Sequence, residues 1–124
     1  MTDSSSRVIV ITGASAGVGR AAALAFVRRG DRVALLARGE PGLEDTAREI
    51  AQLGGTARVI VTDVADAGQI EEAARTVEAE LGPIEVWVNN AMVTVFSRAT
   101  DMTPEEYRRV TDVTYLGGVY GTLA

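Results

Sequence analysis

The sequence contains no cysteine and no histidine. That excludes disulfides, zinc sites built on Cys or His, and any Ser-His-Asp or Cys-His catalysis within these residues. Lysine is missing as well, so all 12 basic residues are arginine, and no mechanism that needs a lysine is complete here. Long apolar runs are absent: none approaches a membrane span, and residues 1–7 are polar, without the apolar core of a signal peptide. A cytoplasmic location is therefore the expectation. Excess positive charge is also lacking. The net charge of −5 counts against a nucleic-acid surface.

What is present is an apolar fraction of 47%, dominated by alanine and valine, with 13 glycines and few aromatics. In 124 residues this composition predicts one compact α/β domain rather than disorder. Residues 1–6 read as a disordered polar lead and residues 7–124 as the domain.

The chain is organised around Thr12-Gly13-Ala14-Ser15-Ala16-Gly17-Val18-Gly19. An apolar run, Val8-Ile9-Val10-Ile11, precedes it and an alanine-rich helical pattern follows. A strand feeding a glycine-rich turn that opens a helix is the layout of a dinucleotide-binding βαβ unit. Gly13 would let the chain leave the strand in a tight turn. Gly17 would admit a pyrophosphate to the backbone, and Gly19 would let the helix pack on the strand. The first-turn N–H groups and the positive dipole end then face the phosphates.

Further along, the pattern predicts strands at residues 32–37, 57–62 and 84–89, alternating with helices. The second helix has Leu43, Ala47, Ile50 and Leu53 on one face. The third has Asp66 as its cap, Gln69 in a capping box, and a buried stripe through Ile70, Ala73, Ala74, Val77 and Leu81. A loop over residues 91–102 leads to Thr103-Pro104-Glu105-Glu106, a strong start for a fourth helix. Alternating strands and helices imply right-handed crossovers. The expected fold is a Rossmann-like, three-layer, doubly wound parallel sheet of four strands in the order 3-2-1-4, with a ligand crevice between strands one and four. Strand four would be an exposed, apolar edge, and Gly121-Thr122-Leu123-Ala124 supplies no helix cap. Both features read as the first half of a longer protein, with self-association or pairing through that edge.

These motifs together resemble the short-chain dehydrogenase/reductase family. Thr12 to Gly19 is similar to its Thr-Gly-x-x-x-Gly-x-Gly motif at every fixed position. Asp63-Val64 resembles the pair that contacts the adenine, and Asn89-Asn90-Ala91 resembles its Asn-Asn-Ala-Gly motif, with Met92 in place of the last glycine. Thr114 stands where the family has an asparagine that holds a helix distortion and a water of the proton relay. A threonine there takes over part of that role or bonds to its own backbone. The family's Tyr-x-x-x-Lys is not met by Tyr107, Tyr115 or Tyr120, because no lysine follows any of them. No catalytic residue is thus assigned, and these residues alone are expected to be inactive. Ser97 and Ser15 do not stand at the catalytic serine's position.

Strand two ends Leu35-Leu36-Ala37-Arg38. NAD-binding units place an acidic residue at that end, where it accepts from ribose hydroxyls and repels a phosphate. Ala37 leaves room and Arg38 offers a planar, permanent cation to a 2′-phosphate, so NADP is expected in preference to NAD. The cofactor-binding set is Gly13, Ser15, Gly17, Val18, Gly19, Arg38, Asp63, Val64, Asn90 and Ala91, with no metal site. Arg20 is an outlying candidate for a phosphate contact, whereas Arg28, Arg29, Arg48, Arg75, Arg108 and Arg109 read as solvated helix-face charges. The resemblance implies an NADP(H)-dependent oxidoreductase acting on a small carbonyl or alcohol, these residues being its cofactor-binding half. The alternative is a non-catalytic dinucleotide-binding or interaction module.

Overall fold

A computed structural model of the chain describes residues 6–14, 17–91 and 99–124. Strands β1 (Val8–Thr12), β2 (Arg32–Ala37), β3 (Ala57–Val61) and β4 (Val86–Val88) form one sheet. Its order is β3-β2-β1-β4, and every pairing is parallel. The expected topology is therefore the observed one.

Both faces of the two central strands are covered, which is why their sequences run apolar without alternation. Ile9, Ile11, Val33 and Leu35 pack under α1 (Gly17–Arg28) and α2 (Glu40–Gln52), against Ala23, Val27, Leu43 and Ile50. Val8, Val10, Ala34 and Leu36 point the other way, onto Ala73 and Val77 of α3 (Ala67–Glu80). Beside α3 lie α4 (Pro104–Val110), a π-helical turn (Thr111–Leu116) and α5 (Gly117–Leu123). Val113 and Tyr120 from this last stretch close a third cluster around Val64 and Ile70.

Several boundaries differ from expectation for physical reasons. Strand pairing in β4 stops at Val88 instead of continuing to residue 89. Beyond it the amides of Asn90 and Ala91 turn to the Thr12 hydroxyl instead of a neighbouring strand. Leu53 is not on the buried face of α2: it is the residue that ends the helix, and it is 47% exposed. Asp66 caps α3 by accepting from the Gln69 amide at 3.2 Å. The Gln69 side-chain carbonyl, however, accepts from the Asp63 amide at 2.8 Å, so no reciprocal capping box closes. Thr103 and Glu106 do form one. The fourth helix is interrupted by the π turn, and a short 3₁₀ turn (Ala99–Asp101) stands inside the expected loop.

At the other end of the sheet, Asp31 is buried and accepts from the Arg7 amide and guanidinium at 3.0–3.3 Å. Those hydrogen bonds outweigh the burial and hold its carboxyl below the ordinary aspartate value. This pair fastens the start of β1 to the entry of β2.

Candidate functional site

The glycine turn is built by backbone demands at two places. Gly13 has φ +68°, and its amide donates to the Leu36 carbonyl at 2.7 Å, folding the chain back over the end of β2. A Cβ on it would lie 2.9 Å from the Ala91 Cα. Gly17 has φ +61°, but a Cβ there would meet nothing within 4 Å. Its glycine is required by conformation alone, and the space outside its backbone is open.

Gly19 works differently. A Cβ there would fall 2.2 Å from the Gly13 carbonyl oxygen and 2.6 Å from the Asn90 side-chain nitrogen. So Gly19 makes room for the turn itself and for Asn90, a tighter constraint than helix-on-strand packing. Asn90 uses that space to donate from Nδ2 to the Gly13 carbonyl at 3.2 Å. Val18 is 76% exposed at the start of α1. Ser15 and Ala16 of the turn, with Met92 and Ser97, lie outside the described residues.

Two buried threonines, neither given a role by the sequence, brace this turn. Thr12 Oγ1 accepts from the Asn90 and Ala91 amides at 3.0 and 3.1 Å and donates to the Val88 carbonyl at 3.3 Å. It thereby ties the end of β1 to the chain leaving β4. Thr46 Oγ1 of α2 lies 3.3 Å from the Ala14 carbonyl and 3.1 Å from that of Gly42, pinning the turn to the second helix. The advance signal for Thr12 was its fixed place in the glycine motif, and for Thr46 only a hydroxyl among apolar helix-face residues.

From the turn opens a cleft of about 320 Å³. Gly13, Asn90 and Ala91 form one end, and Ala37, Arg38 and Gly39 line a side. Thr62, Val64, Val113 and Arg109 complete the wall. The structure thus brings together Gly13, Arg38, Val64, Asn90 and Ala91 of the expected set, at the carboxyl ends of the strands. Ala37 is buried, Arg38 is exposed, and among the described residues the Arg38 guanidinium has no ion-pair partner.

Asp63 lies between the cleft residues Thr62 and Val64, and its partner corrects the expectation for Arg109. Arg109 is not a solvated helix-face charge. Its two terminal nitrogens each donate to one Asp63 oxygen at 3.2 Å, and both side chains are 30% exposed. The Ala65 amide donates to the same carboxylate at 3.0 Å. Burial works against charge on Asp63, but the Arg109 and Ala65 hydrogen bonds, with the Arg109 and Arg38 charges, outweigh it. The carboxyl sits below the ordinary aspartate value.

Arg20, the outlying candidate, has a partner of its own on α2. Its guanidinium donates to Glu49 of α2 at 2.8 and 3.1 Å, which ties α1 to α2. Arg48 and Arg75 pair within their own helices, with Asp45 and Glu72, as the spacing implies. Thr114 lies inside the π turn and is exposed. The helix is distorted at this position, with a threonine where the family has asparagine.

A glycine turn at the switch point of a doubly wound parallel sheet defines the class of nucleotide-binding α/β proteins. The short chain dehydrogenase family model matches residues 7–124. The chain is 37% identical over 118 residues to an uncharacterized oxidoreductase, YxnA, of Bacillus subtilis, covering 95% of this chain and 33% of that protein. It is 42% identical over 112 residues to EphD, a probable oxidoreductase of Mycobacterium tuberculosis, covering 90% of this chain and 19% of that one.

Among solved structures, it is similar to an alcohol dehydrogenase from the archaeon Thermococcus sibiricus, complexed with 5-hydroxy-NADP. The TM-score is 0.89 at 36% identity, over 94% of this chain and 50% of that one. Actinorhodin polyketide ketoreductase F189W with NADPH superimposes at a TM-score of 0.93 and 31% identity, over 99% of this chain and 47% of that one. The chain belongs to the short chain dehydrogenase family, and it spans half or less of the length of each of these relatives.

Proposed function

We propose that this chain is the cofactor-binding region of an NADP(H)-dependent short-chain oxidoreductase whose substrate is a small carbonyl or alcohol. The observation that carries the reading is the cleft itself. The glycine turn opens onto a wall where a small residue, Ala37, is followed by the cationic Arg38, and a Cβ on Gly17 would meet nothing within 4 Å among the described residues. Family membership and the NADP and NADPH complexes of the two solved relatives support the same assignment.

When bound, the cofactor supplies a hydride acceptor or donor at its nicotinamide. The residues present do the binding. The open backbone at Gly17 and the first-turn amides at Val18 and Gly19 receive the pyrophosphate. Arg38 takes the 2′-phosphate, with Ser15 as a further hydroxyl contact. Asp63 and Val64 hold the adenine, while Asn90 and Ala91 form the wall beside the nicotinamide ribose. No lysine occurs in these residues, so binding rather than turnover is the activity proposed for them alone. A cytoplasmic location, and pairing of β4 with further sheet from the same or another chain, belong to the same proposal.

Calorimetric titration with NADP+ and NAD+, repeated on Arg38→Ala, tests this. Hydrogen bonds to a charged group contribute roughly 1.5–3 kcal/mol, so the unaltered chain should prefer NADP+ by about 10- to 100-fold. Arg38→Ala should abolish the preference and leave NAD+ affinity nearly unchanged. Equal affinities before and after the substitution would contradict the phosphate assignment.

A further inference from the structure

Arg109 sits where the reading above has no use for it. It reaches from α4 to the rim of the cleft, 46 residues from its partner, and meets Asp63 fork to fork. The exposed Arg75–Glu72 pair, by contrast, forms within one helix at i,i+3 spacing, and neither residue lines the cleft beside the glycine turn. The Asp63–Arg109 pair is different in kind, because Arg109 itself lines the cleft and Asp63 lies between Thr62 and Val64, which both line it.

The chemistry of the cleft explains why such a pair would be useful. A carboxylate is an acceptor-only group with two oxygens and about four lone-pair sites. Oδ1 of Asp63 takes the Ala65 amide and one Arg109 nitrogen, while Oδ2 takes the other. Capacity to accept one more hydrogen bond therefore remains. An unpaired carboxylate beside a ligand carrying several phosphate charges would repel it. Paired with a guanidinium, the same carboxylate keeps its acceptor character while its charge is cancelled, and the planar fork fixes its orientation.

We propose that Arg109 is a positioning residue: it holds and neutralises Asp63 so that the carboxylate reads the exocyclic amine of the purine ring of a phosphate-rich dinucleotide. This rests on the reading of the cleft as an adenine dinucleotide site. Arg109 acts through Asp63 and does not itself bind the 2′-phosphate, which Arg38 serves.

The test compares NADP+ with its hypoxanthine analogue, in which the 6-amino donor is replaced by a 6-oxo acceptor, by calorimetric titration. The unaltered chain should favour the amino form by about 10-fold, the size of one hydrogen bond to a charged acceptor. Arg109→Ala should weaken NADP+ and shrink the amino preference several-fold, while leaving the ratio of NADP+ to NAD+ affinity unchanged. Arg109→Lys, which keeps the charge but not the fork, should recover NADP+ affinity without fully recovering the amino preference. Thermal unfolding of both variants establishes that they fold, and the lysine variant keeps the test valid if the alanine one does not. If the amino preference survives in Arg109→Ala, or if the NADP+ to NAD+ ratio falls instead, the proposal is overturned while the functional reading stands. An unaltered chain that binds neither NADP+ nor NAD+ overturns both.

Discussion

Thr12 shows how much of the cleft hangs on one hydroxyl. Its single oxygen receives two backbone amides that the chain leaving β4 cannot pair with another strand, and it is 2% exposed. Thr12→Val keeps the shape and removes the acceptor, orphaning the Asn90 and Ala91 amides. Leaving fully buried donors unsatisfied costs roughly 1–3 kcal/mol, and these two are half-buried beside the cleft, so the midpoint of urea unfolding should fall by the lower end of that range. Thr12→Ser should restore most of the loss, and an unchanged midpoint for the valine variant would contradict the role.

At this scale the sequence was legible where the demand was local. Positive φ at Gly13 and Gly17 is a property of the turn, and the glycines announce it. The arginines were not legible in the same way. Arg109 stands near Glu105, Glu106 and Asp112, which offered it partners on its own helix, and only the fold reveals Asp63. Arg20 likewise finds Glu49 across 29 residues. A guanidinium on a long stem takes whichever carboxylate the tertiary structure brings near.

Among the elements, the stretch from α4 through the π turn to α5 departs most from the expectation. Tyr107, Val110 and Val113 mark a helix, but an apolar period does not show where the hydrogen-bond ladder shifts by one residue. Glycine decides how α5 sits. A Cβ on Gly117 would fall 2.8 Å from Val64 Cγ2 and 3.1 Å from the Val64 carbonyl oxygen, whereas one on Gly118 would meet nothing within 4 Å. Alanine is the better helix former by about 1 kcal/mol. Overpacking a buried contact costs roughly 1–3 kcal/mol, so at Gly117 the clash outweighs propensity, and at Gly118 propensity stands alone.

Gly117→Ala should therefore lower the thermal midpoint and weaken NADP+ binding through Val64. Gly118→Ala should raise the midpoint slightly and leave binding alone. The same sign for both substitutions would show that close packing on Val64 does not govern this helix. Thr46, Gly117 and the trimmed end of β4 were unreadable for one reason: each depends on what another element places opposite it. The capping box at Thr103 and the buried stripe of α3 depend on their own neighbours, and both stand as the sequence implied, except that Leu81 is only half-buried.

The whole molecule has two unlike ends. At the amino ends of the strands, Arg7 and Asp31 close on one another and fasten β1 to β2. At the carboxyl ends, Thr12 ties the chains that leave β1 and β4, and the cleft beside them is lined by Gly13 of the glycine turn, Arg38 and Arg109, the partner of Asp63. Ligands of open α/β sheets bind at such a switch point because the strand order reverses there and the flanking loops leave a gap. The topology was legible as a whole because the order of strands and helices, with right-handed crossovers, admits few alternatives. This end, and not the opposite one, is therefore where a phosphate-bearing dinucleotide should bind.

Backbone amide NMR of the chain titrated with NADP+ tests it most directly. The account predicts shifts concentrated at Gly13, Gly17, Gly19, Arg38, Val64, Asn90 and Ala91, with Gly30, Arg32 and Gly54 at the opposite end unmoved. Shifts centred on that opposite end, or none at saturating NADP+, would contradict it.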